Sequence, residues 1–491
     1  MLKSIKIMFE NFDKYNIEYC HWKSNEHLSE SIEGDTDLDV LFNPNQRSLL
    51  EKVLSESGLK RFRATPLMQY NAIEDYIGFD KEEAKIWHLH LHYRLSLGEN
   101  HLKGYTVPWT EYFLKNREKI QCQDFNVYCS NSADELFLLL TRMALKLRWR
   151  DFSKKIGNDD ILELKWLKNR CDISEVKNVA EKLTEKSISE EINFLLSENL
   201  VKKRQLLKLQ RFLRKSMKSY SSYNKITSYI NRTKREIFWL VGGIKRRLGL
   251  NSTVANRRIS PAGGTVIAFL GSDGAGKSTT LKYVKKEFNK KIDVYSTYLG
   301  SGDGSSSLLR KPMKYVAKKI GGKGVGHRVE KEINSGGKVS LKSYLYSYCK
   351  IIWAVTLAQE KKKKLKKITK ARNNGLLVLV DRYPQIEVSG YSDGPLLTKY
   401  SSSNNIMKKI SEWEYEIYKS AYINGPDLLI KLVVPPEIAI NRKPEMTYEE
   451  INNKIEAVLK IHSGKTEKII STNCEKKDSF GLVMEEIWKL I

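Results

Sequence analysis

The sequence predicts an α/β protein in which a C-terminal parallel sheet flanked by helices is joined to an N-terminal α+β domain with a helical extension. One observation is an all-apolar run at residues 266–270 that leads into a glycine-rich turn and then a helical pattern. Another is the all-apolar run at 376–380, which ends in Asp381. Such runs are typical of buried parallel strands, whereas the N-terminal part alternates apolar and acidic residues at Asp37 and Asp39.

Length and composition indicate a globular chain. The 491 residues are enough for about three domains, and 41% of them are apolar. Six cysteines are scattered without a C-x-x-C pair, which predicts reduced thiols and a cytoplasmic location. The N-terminus lacks the apolar stretch of a signal peptide, and no apolar run approaches the ~20 residues of a membrane-spanning helix. We therefore expect a protein that does not cross a membrane.

The positive charge is concentrated in one segment. The formal net charge of the chain is +27, and residues 201–250 contain fifteen lysines and arginines against one acid, Glu236. This segment therefore carries a net charge of +14, about half of the excess. The distribution predicts a local basic patch rather than a uniformly basic surface.

Residues 1–130 predict a small α+β domain that carries two neighbouring carboxylates. Asp37 and Asp39 alternate with apolar residues, so on a strand both side chains would point to the same side. Neighbouring acids repel each other unless a divalent cation lies between them, and metal-dependent group transfer needs such a pair. We therefore predict a Mg²⁺ site at Asp37 and Asp39. An acidic surface turn beside a half-buried strand is the alternative.

These residues resemble the small bacterial members of the DNA polymerase beta-like nucleotidyltransferase superfamily. Lys23 and Ser24 stand for the small turn of its pattern, and Asp37 and Asp39 stand for its metal-binding pair. The resemblance implies a nucleotidyltransferase-like fold. Where the pattern has a third carboxylate on a neighbouring strand, this chain has His90. Both active nucleotidyl transfer and a substrate-binding or scaffolding remnant are therefore open.

Three histidines alternate on the strand predicted around position 90. His88, His90 and His92 would share one face, and three imidazoles are ligands that zinc and other transition metals prefer. However, positions i to i+4 span about 13 Å of extended strand, which is too far for one ion. We therefore expect histidines that make hydrogen bonds or face a substrate.

Residues 131–200 predict a helical extension of this domain. Its best-defined helix covers 133–149, with Asn131 and Ser132 as the cap.

Residues 201–263 predict a basic amphipathic helical linker, and the chain at 251–264 predicts a flexible hinge. Apolar residues recur at helical spacing between positions 226 and 248, with lysines and arginines mostly on the other faces. Such a helix suits an anionic membrane surface, where each nearby cationic side chain contributes ~1 kcal/mol. A solvated linker is the alternative. Nucleic acid is the less favoured partner, because no recognised motif accompanies the charge.

A phosphate-binding loop is predicted at residues 271–278, which have the spacing G-x-x-x-x-G-K-[ST] between a strand and a helix. In such a loop Lys277 would reach the β- and γ-phosphates, and the Ser278 hydroxyl would bind Mg²⁺. We therefore predict ATP and Mg²⁺ as cofactors. The expected nucleotide contacts come from Gly271, Ser272, Gly274, Ala275, Gly276, Lys277, Ser278 and Thr279.

The strand at 376–380 places two further candidates beside this loop. Asp381 follows the strand directly and would belong to the Mg²⁺ shell, while Arg382 would direct its planar donors at a phosphate. The other expected elements are a strand at 293–299, a mobile insertion at 300–342, a long helix at 341–370 with a lysine run at 361–367, and a strand at 428–434.

Over residues 264–491 the motifs resemble the thymidylate kinase family of P-loop nucleoside monophosphate kinases. The resemblance implies that Asp273 contacts the sugar or phosphate of the acceptor, that Arg382 holds its phosphate, and that Arg442 closes over the transferring phosphoryl group. The thymine-contacting segment of the family is absent after Tyr383. The matching motifs are Gly-Ser-Asp-Gly-Ala-Gly-Lys-Ser-Thr at 271–279, Asp-Arg-Tyr at 381–383, Pro-Asp-Leu at 426–428 and Pro-Pro-Glu-Ile-Ala at 435–439.

The predicted function is ATP-dependent phosphorylation of a nucleoside monophosphate or another small phosphate or hydroxyl acceptor. The catalytic residues would be Lys277, Asp273, Asp381, Arg382 and Arg442. The N-terminal domain would couple this step to nucleotidyl transfer onto a sugar or polyol derivative.

The alternatives are an ATP-binding switch or assembly protein at an anionic membrane surface, and a polynucleotide kinase. A peripheral position on the inner face of the membrane and a homodimer are both compatible with the sequence.

Overall fold

The chain forms two compact units in a computed structural model. Unit 1 comprises Met1–Leu250 and Ala255–Pro261, and unit 2 comprises Asn251–Val254 and Ala262–Ile491. The insertion predicted at 300–342 lies almost wholly outside the described residues. The structure describes residues 1–122, 125–148, 150, 156–198, 201–300, 341–388, 393–398, 405–462 and 464–491.

Unit 1 is built on a mixed eight-stranded sheet. Strands β6 and β7 form a separate two-stranded ribbon, and the other eight form the large sheet. The strands of unit 1 are β1 (Tyr19–His21), β2 (Leu38–Phe42), β3 (Lys60–Ala64), β4 (Ile73–Asp80), β5 (Lys85–His92), β6 (Leu95–Leu97), β7 (Tyr105–Val107), β8 (Glu118–Cys122), β9 (Phe125–Cys129) and β10 (Arg258–Ile259). The spatial order in the large sheet is β10-β3-β4-β5-β2-β1-β9-β8. In the register of the three middle strands, His90 of β5 lies opposite Asp39 of the parallel strand β2 and opposite Asp75 of the antiparallel strand β4. Directly opposite residues share a face, so the sheet gathers carboxylates and imidazoles on one side.

The described part of unit 1 contains ten α-helices. They are α1 (Lys3–Lys14), α2 (Leu28–Ile32), α3 (Arg47–Glu56), α4 (Thr110–Lys115), α5 (Ser132–Lys146), α6 (Asn158–Lys168), α7 (Ile173–Leu183), α8 (Lys186–Ser197), α9 (Lys203–Ser216) and α10 (Lys225–Arg247). One apolar core joins α1 and α3 to the sheet through residues such as Phe9, Phe12 and Val40. A second core surrounds α5, which is buried along nearly its whole length.

The helical extension is confirmed at its first helix. The cap is Asn131, whose side-chain oxygen accepts a hydrogen bond from the Asp134 amide at 2.8 Å. The helix ends at Lys146, three residues before the predicted end at position 149.

The basic segment contains α9 and α10, and the chain that follows is part of the sheet. Arg258 and Ile259 pair in antiparallel register with Ala64 and Arg63 of β3. The middle of the predicted hinge is therefore an edge strand of unit 1.

Unit 2 is built on a five-stranded parallel sheet. Its strands are β11 (Thr265–Gly271), β12 (Val294–Tyr298), β13 (Leu377–Asp381), β14 (Leu428–Val433) and β15 (Glu467–Ser471). They lie in the order β12-β13-β11-β14-β15, and every neighbouring pair is parallel. The helices are α11 (Lys277–Lys291), α12 (Leu341–Asn373), α13 (Asn405–Ile423), α14 (Pro436–Arg442), α15 (Tyr448–Leu459) and α16 (Lys476–Leu490). The predicted fold class, a parallel sheet flanked by helices, is confirmed.

The long helix α12 carries the lysine run, and two of its lysines contact other parts of unit 2. The side chain of Lys361 is only 2% exposed, with its Nζ 3.7 Å from Asp393 Oδ1. Lys364 donates a hydrogen bond to the carbonyl of Tyr298 at 2.8 Å. Among the described residues, no helix is both long enough and apolar enough to span a membrane.

Candidate active site

The phosphate loop connects the end of β11 to the start of α11. Gly274 and Gly276 both have a φ of +80°, a backbone conformation that glycine adopts without the steric cost of a β-carbon. A β-carbon on Gly274 would meet the Ala439 carbonyl oxygen at 2.8 Å. Helix α11 begins at Lys277, so the amides of its first turn lack partners within the helix. The loop therefore presents unpaired backbone donors at a positively polarised helix end, as an anion site requires.

Lys277 lies inside this loop. Its Nζ donates hydrogen bonds to the carbonyls of Gly271 at 2.7 Å and Ser272 at 2.9 Å. Burial, assisted by the positive charge of Arg382, lowers the pKa of Lys277 to about 8. An anionic phosphate would oppose this shift, because a neighbouring negative charge favours the ammonium form.

Asp381 lies at the carboxyl end of β13, beside the loop. The register of the parallel pair places it opposite Phe269 of β11, so strand pairing fixes its position. Burial raises the pKa of Asp381, while the positive charges of Lys277 and Arg382 act in the other direction. Its Oδ1 is buried and has no hydrogen-bond partner among the described residues. A buried oxygen without a donor is a suitable ligand for Mg²⁺.

Arg382 is held in an unusual backbone conformation. Its φ is +63°, in the left-handed region that non-glycine residues seldom adopt, and such strain is concentrated at functional sites. The guanidinium Nη1 lies 3.5 Å from Asp393 Oδ2, and the side chain is 31% exposed. A planar cation therefore lies partly open to solvent beside Lys277 and Asp381.

Two residues on the other side of the loop come from later helices. Arg442, at the end of α14, donates hydrogen bonds to the carbonyls of Gly274 and Thr472, both at 3.1 Å. Lys454 of α15 donates to Asp273, with 2.6 Å between Nζ and Oδ2. Although partial burial disfavours its charge, the hydrogen bond from Lys454 keeps the pKa of Asp273 below the usual value.

The structure thus brings together around one loop all five residues predicted as catalytic in unit 2. Sequence reasoning did not find Lys454 or Asp393. The only local signal for Lys454 is the capping box formed by Thr447 and Glu450, which marks the start of its helix but not the direction of its side chain.

A cavity of about 280 Å³ opens beside the loop. Asp381, Tyr298 and Lys364 line it together with Ser296, Thr297, Asn251 and Leu281. Its size and polar lining suit part of a small polar molecule.

Unit 1 holds a second group of predicted site residues. Asp39 accepts hydrogen bonds on Oδ1 from His90 Nδ1 at 2.9 Å and from His92 Nε2 at 3.3 Å. Asp37 Oδ2 instead lies 3.1 Å from Nδ1 of His88. The two carboxylates predicted as one metal pair therefore contact different histidines.

Comparisons with known proteins give distant relatives, and no family model matches the chain. The Escherichia coli K12 protein named "Uncharacterized ATP-binding protein YghR" is 28% identical over 233 residues, which cover 46% of this chain and 86% of YghR. "Uncharacterized ATP-binding protein YghS" from the same strain is 29% identical over 195 residues, covering 39% and 78%. The solved thymidylate kinase of Ehrlichia chaffeensis is 15% identical, with a TM-score of 0.24, and the match covers 46% of this chain and 98% of that enzyme.

Proposed function

We propose that unit 2 is an ATP-dependent phosphotransferase that phosphorylates a nucleoside monophosphate or another small phosphate or hydroxyl acceptor. The observation that carries the proposal is the position of Lys277 in a glycine loop with Asp381 and Arg382 beside it. Phosphoryl transfer needs these parts: backbone amides and a lysine for the donor phosphates, an acid for Mg²⁺, and an arginine for the transition-state charge. The name of the relatives, ATP-binding proteins, supports ATP as the donor.

The donor side has oxygen ligands that fit Mg²⁺. Ser278 follows Lys277 in the first turn of α11, and Asp381 has a buried oxygen without a partner among the described residues. These two side chains would hold the ion, which when bound neutralises phosphate charge. The residues of the loop would then orient the donor and keep its terminal phosphate in line with the acceptor.

The acceptor side favours a group that is already ionised. Asp273 is paired with Lys454 and its pKa is lowered, so it is a poor proton acceptor. Asp381 is needed for the metal. A phosphate acceptor requires no general base, and Arg382 would bind it through two parallel hydrogen bonds. We therefore favour a phosphate acceptor over a hydroxyl acceptor.

The test is an ADP-release assay of the intact protein with Mg²⁺, ATP and a panel of nucleoside monophosphates, sugars, sugar phosphates and oligonucleotides. We expect one class of phosphate acceptor to accelerate ADP release, and Lys277→Ala to abolish the acceleration. Lys282→Ala, which removes an exposed lysine from the same helix, is the matched control and should keep full activity.

The alternatives give different results in the same assay. Slow ADP release that no acceptor changes, with ATP still bound, would favour an ATP-binding switch. Acceleration by oligonucleotides alone would favour a polynucleotide kinase. Acceleration that persists in Lys277→Ala would contradict the proposal.

A further inference from the structure

The polar face of the unit 1 sheet brings two histidines and one carboxylate to a single point. His90 Nδ1 and His92 Nε2 both approach Oδ1 of Asp39, at 2.9 and 3.3 Å. The possible ligand atoms of the three residues all lie within 4.8 Å of one another. In a tetrahedral site with bonds of about 2.0–2.1 Å, ligand atoms are separated by about 3.4 Å. Small side-chain movements would therefore place all three around one ion.

We propose that Asp39, His90 and His92 form a transition-metal site, with zinc, iron or manganese as the expected class of ion. The donor set is two imidazole nitrogens and one carboxylate oxygen, which transition metals prefer, whereas Mg²⁺ prefers oxygen ligands. The predicted Mg²⁺ pair fits less well, because Asp37 lies against His88 instead.

The surrounding structure fixes the orientation of the candidate ligands. Lys23 Nζ lies 2.7 Å from the second carboxylate oxygen of Asp39, which fixes the orientation of that carboxylate. His92 is fully buried, and its Nδ1 has no hydrogen-bond partner among the described residues. The strand register holds Asp39 opposite His90, so the backbone rather than a flexible loop positions the ligands.

One of the three proposed ligands borders a cavity. His90 lines a cavity of about 780 Å³ in unit 1. Five arginines and two acids, Glu74 and Asp75, are among its lining residues, which leaves a positive excess. Three protein ligands with an accessible further position are typical of catalytic metal sites, and arginines bind phosphate oxygens in pairs. The ligand brought to the metal is therefore expected to be a phosphorylated small molecule. The arginines are Arg47, Arg61, Arg63, Arg257 and Arg258.

The experiment is metal analysis of the intact, tag-free protein, followed by titration with Co²⁺ as the probe. We expect one ion per chain and a visible absorption band typical of nitrogen and oxygen ligands. His90→Ala and Asp39→Asn should each weaken Co²⁺ binding by about tenfold to a hundredfold. His462→Ala, which removes an exposed histidine of unit 2, is the matched control.

Two outcomes would overturn the metal proposal. One is wild-type protein that binds no Co²⁺ or Zn²⁺ in stoichiometric amount. The other is undiminished binding by His90→Ala and Asp39→Asn, with circular dichroism showing that both variants are folded. Neither result affects the kinase proposal, because the ADP-release assay with Lys277→Ala tests unit 2 separately.

A second, independent observation concerns helix α10, which contacts the rest of unit 1 through some of its charged side chains. Arg148 Nη1 donates a hydrogen bond to Glu236 Oε2 at 2.8 Å, and Arg232 bonds to Glu99. Arg235 lies over the ring of Tyr70, 4.9 Å from its centroid. These contacts bind α10 to unit 1 through ion pairs and ring stacking rather than through an apolar stripe.

The apolar side of α10 faces solvent. Its exposed aliphatic residues include Ile226 at 73%, Ile237 at 56% and Ile244 at 55%, and Leu248 at the C-cap is 67% exposed. At 100° per residue, these four lie within about 40° of one another around the helix axis. Ordinary surface helices instead turn their apolar side towards the protein and their polar side towards solvent. Further exposed apolar residues of this helix are Tyr229, Ile230, Trp239, Leu240 and Val241.

We propose that this outward face docks on an anionic membrane surface without spanning it. The observation that selects a lipid surface is charge complementarity: the exposed face is flanked by Lys225, Lys234 and Arg247. The single acid of the helix, Glu236, is bound to Arg148 on the inward side. Apolar residues flanked by cations bind at the boundary between headgroups and acyl chains.

The experiment is flotation of the intact protein with vesicles of phosphatidylcholine plus phosphatidylserine, compared with phosphatidylcholine alone. We expect binding to the anionic vesicles that weakens as salt is raised, and loss of binding in Ile237→Glu with Ile244→Glu. The matched control is Leu162→Glu with Phe194→Glu, which changes two apolar residues of unit 1 that are 53% and 51% exposed.

The same variants separate the other occupants of this face. A wild-type dimer that becomes monomeric in Ile237→Glu with Ile244→Glu, with no vesicle binding, would assign the face to a second copy of the chain. Equal binding by the outward-face variant and the wild type would also overturn the proposal.

Discussion

Lys454 of α15 lies 2.6 Å from Asp273 in the phosphate loop, although 181 positions separate them along the chain. The loop therefore depends on a helix formed much later in the sequence. About a third of each side chain is exposed, so the ion pair contributes little to overall stability. Its expected role is to orient Asp273 towards the acceptor.

Lys454→Met should therefore impair turnover more than ATP binding. Losing a hydrogen bond between charged groups costs on the order of 1.5–3 kcal/mol, and we expect about a tenfold fall in the rate of ADP release at saturating ATP. The Kd for ATP should change by less than about threefold, because backbone amides make the main phosphate contacts. Lys460→Met, an exposed lysine at the end of the same helix, is the control. An equal loss in both variants would argue against this role.

The two glycines with positive φ in the phosphate loop provide a matched pair. Both have a φ of +80°, but a β-carbon on Gly274 would meet the Ala439 carbonyl at 2.8 Å, whereas one on Gly276 meets nothing within 4 Å. Gly276→Ala should cost about 1–2 kcal/mol from backbone strain alone. Gly274→Ala should cost about 1–3 kcal/mol more, because the carbonyl must also move. Urea unfolding of both variants measures the difference, and equal losses would contradict this explanation.

The local parts of the kinase-like site could be predicted from the sequence. The phosphate loop is contiguous, so its spacing specifies a strand, a turn and a helix without knowledge of the rest of the fold. Asp381 could be placed because a buried parallel strand ends at a predictable edge of the sheet. Lys454 and Asp393 could not, because their contacts depend on how distant segments pack.

The histidine strand shows the same limit. The three histidines do extend along one face, as the alternation predicts. The sequence does not reveal that β2 pairs with β5 in the register that places Asp39 opposite His90. Two histidines of one strand and a carboxylate of the adjacent strand come together at one point. Three histidines along a single strand lie too far apart to do so. The edge strand at Arg258 and Ile259 was not predicted either, because two residues are too few to give a periodic signal.

The buried lysine of β14 predicts an asymmetric response to mutation. Lys431 is 1% exposed, and its Nζ lies 2.9 Å from Glu467 Oε2 and 3.1 Å from the Leu459 carbonyl. Glu467→Ala should destabilise unit 2 by about 3 kcal/mol, because it leaves a buried charge without a counter-ion. The double variant Lys431→Met with Glu467→Ala should recover part of this loss. Thermal or urea unfolding tests this, and a double variant less stable than Glu467→Ala would contradict it.

A pair in the same unit whose lysine is about half exposed is the control for that comparison. Lys468 lies 3.3 Å from Glu486, and its side chain is 47% exposed. Lys468→Met should change the free energy of unfolding by less than about 1 kcal/mol, because solvent screens this pair.

Glu135 of α5 predicts how the stability of unit 1 depends on pH. Its carboxylate is 1% exposed and accepts hydrogen bonds from the backbone amide and the side-chain amide of Asn25, at 2.9 and 2.7 Å. Burial raises the pKa of Glu135 to about 7, and likewise that of Asp134 to about 7. The folded state therefore holds protons that the unfolded state releases near its ordinary carboxyl pKa of about 4.

It follows that each group contributes stability below about pH 4 that is lost as the pH rises through about 7, with a change on the order of 3–4 kcal/mol per group. We expect the free energy of unfolding of unit 1 to fall between about pH 4 and pH 7. Glu135→Gln should remove about half of that dependence, because an amide does not titrate. Glu111→Gln, an exposed acid of α4, should leave it unchanged. Urea unfolding at several pH values measures the slopes, and an unaltered slope in Glu135→Gln would show that another group causes the dependence.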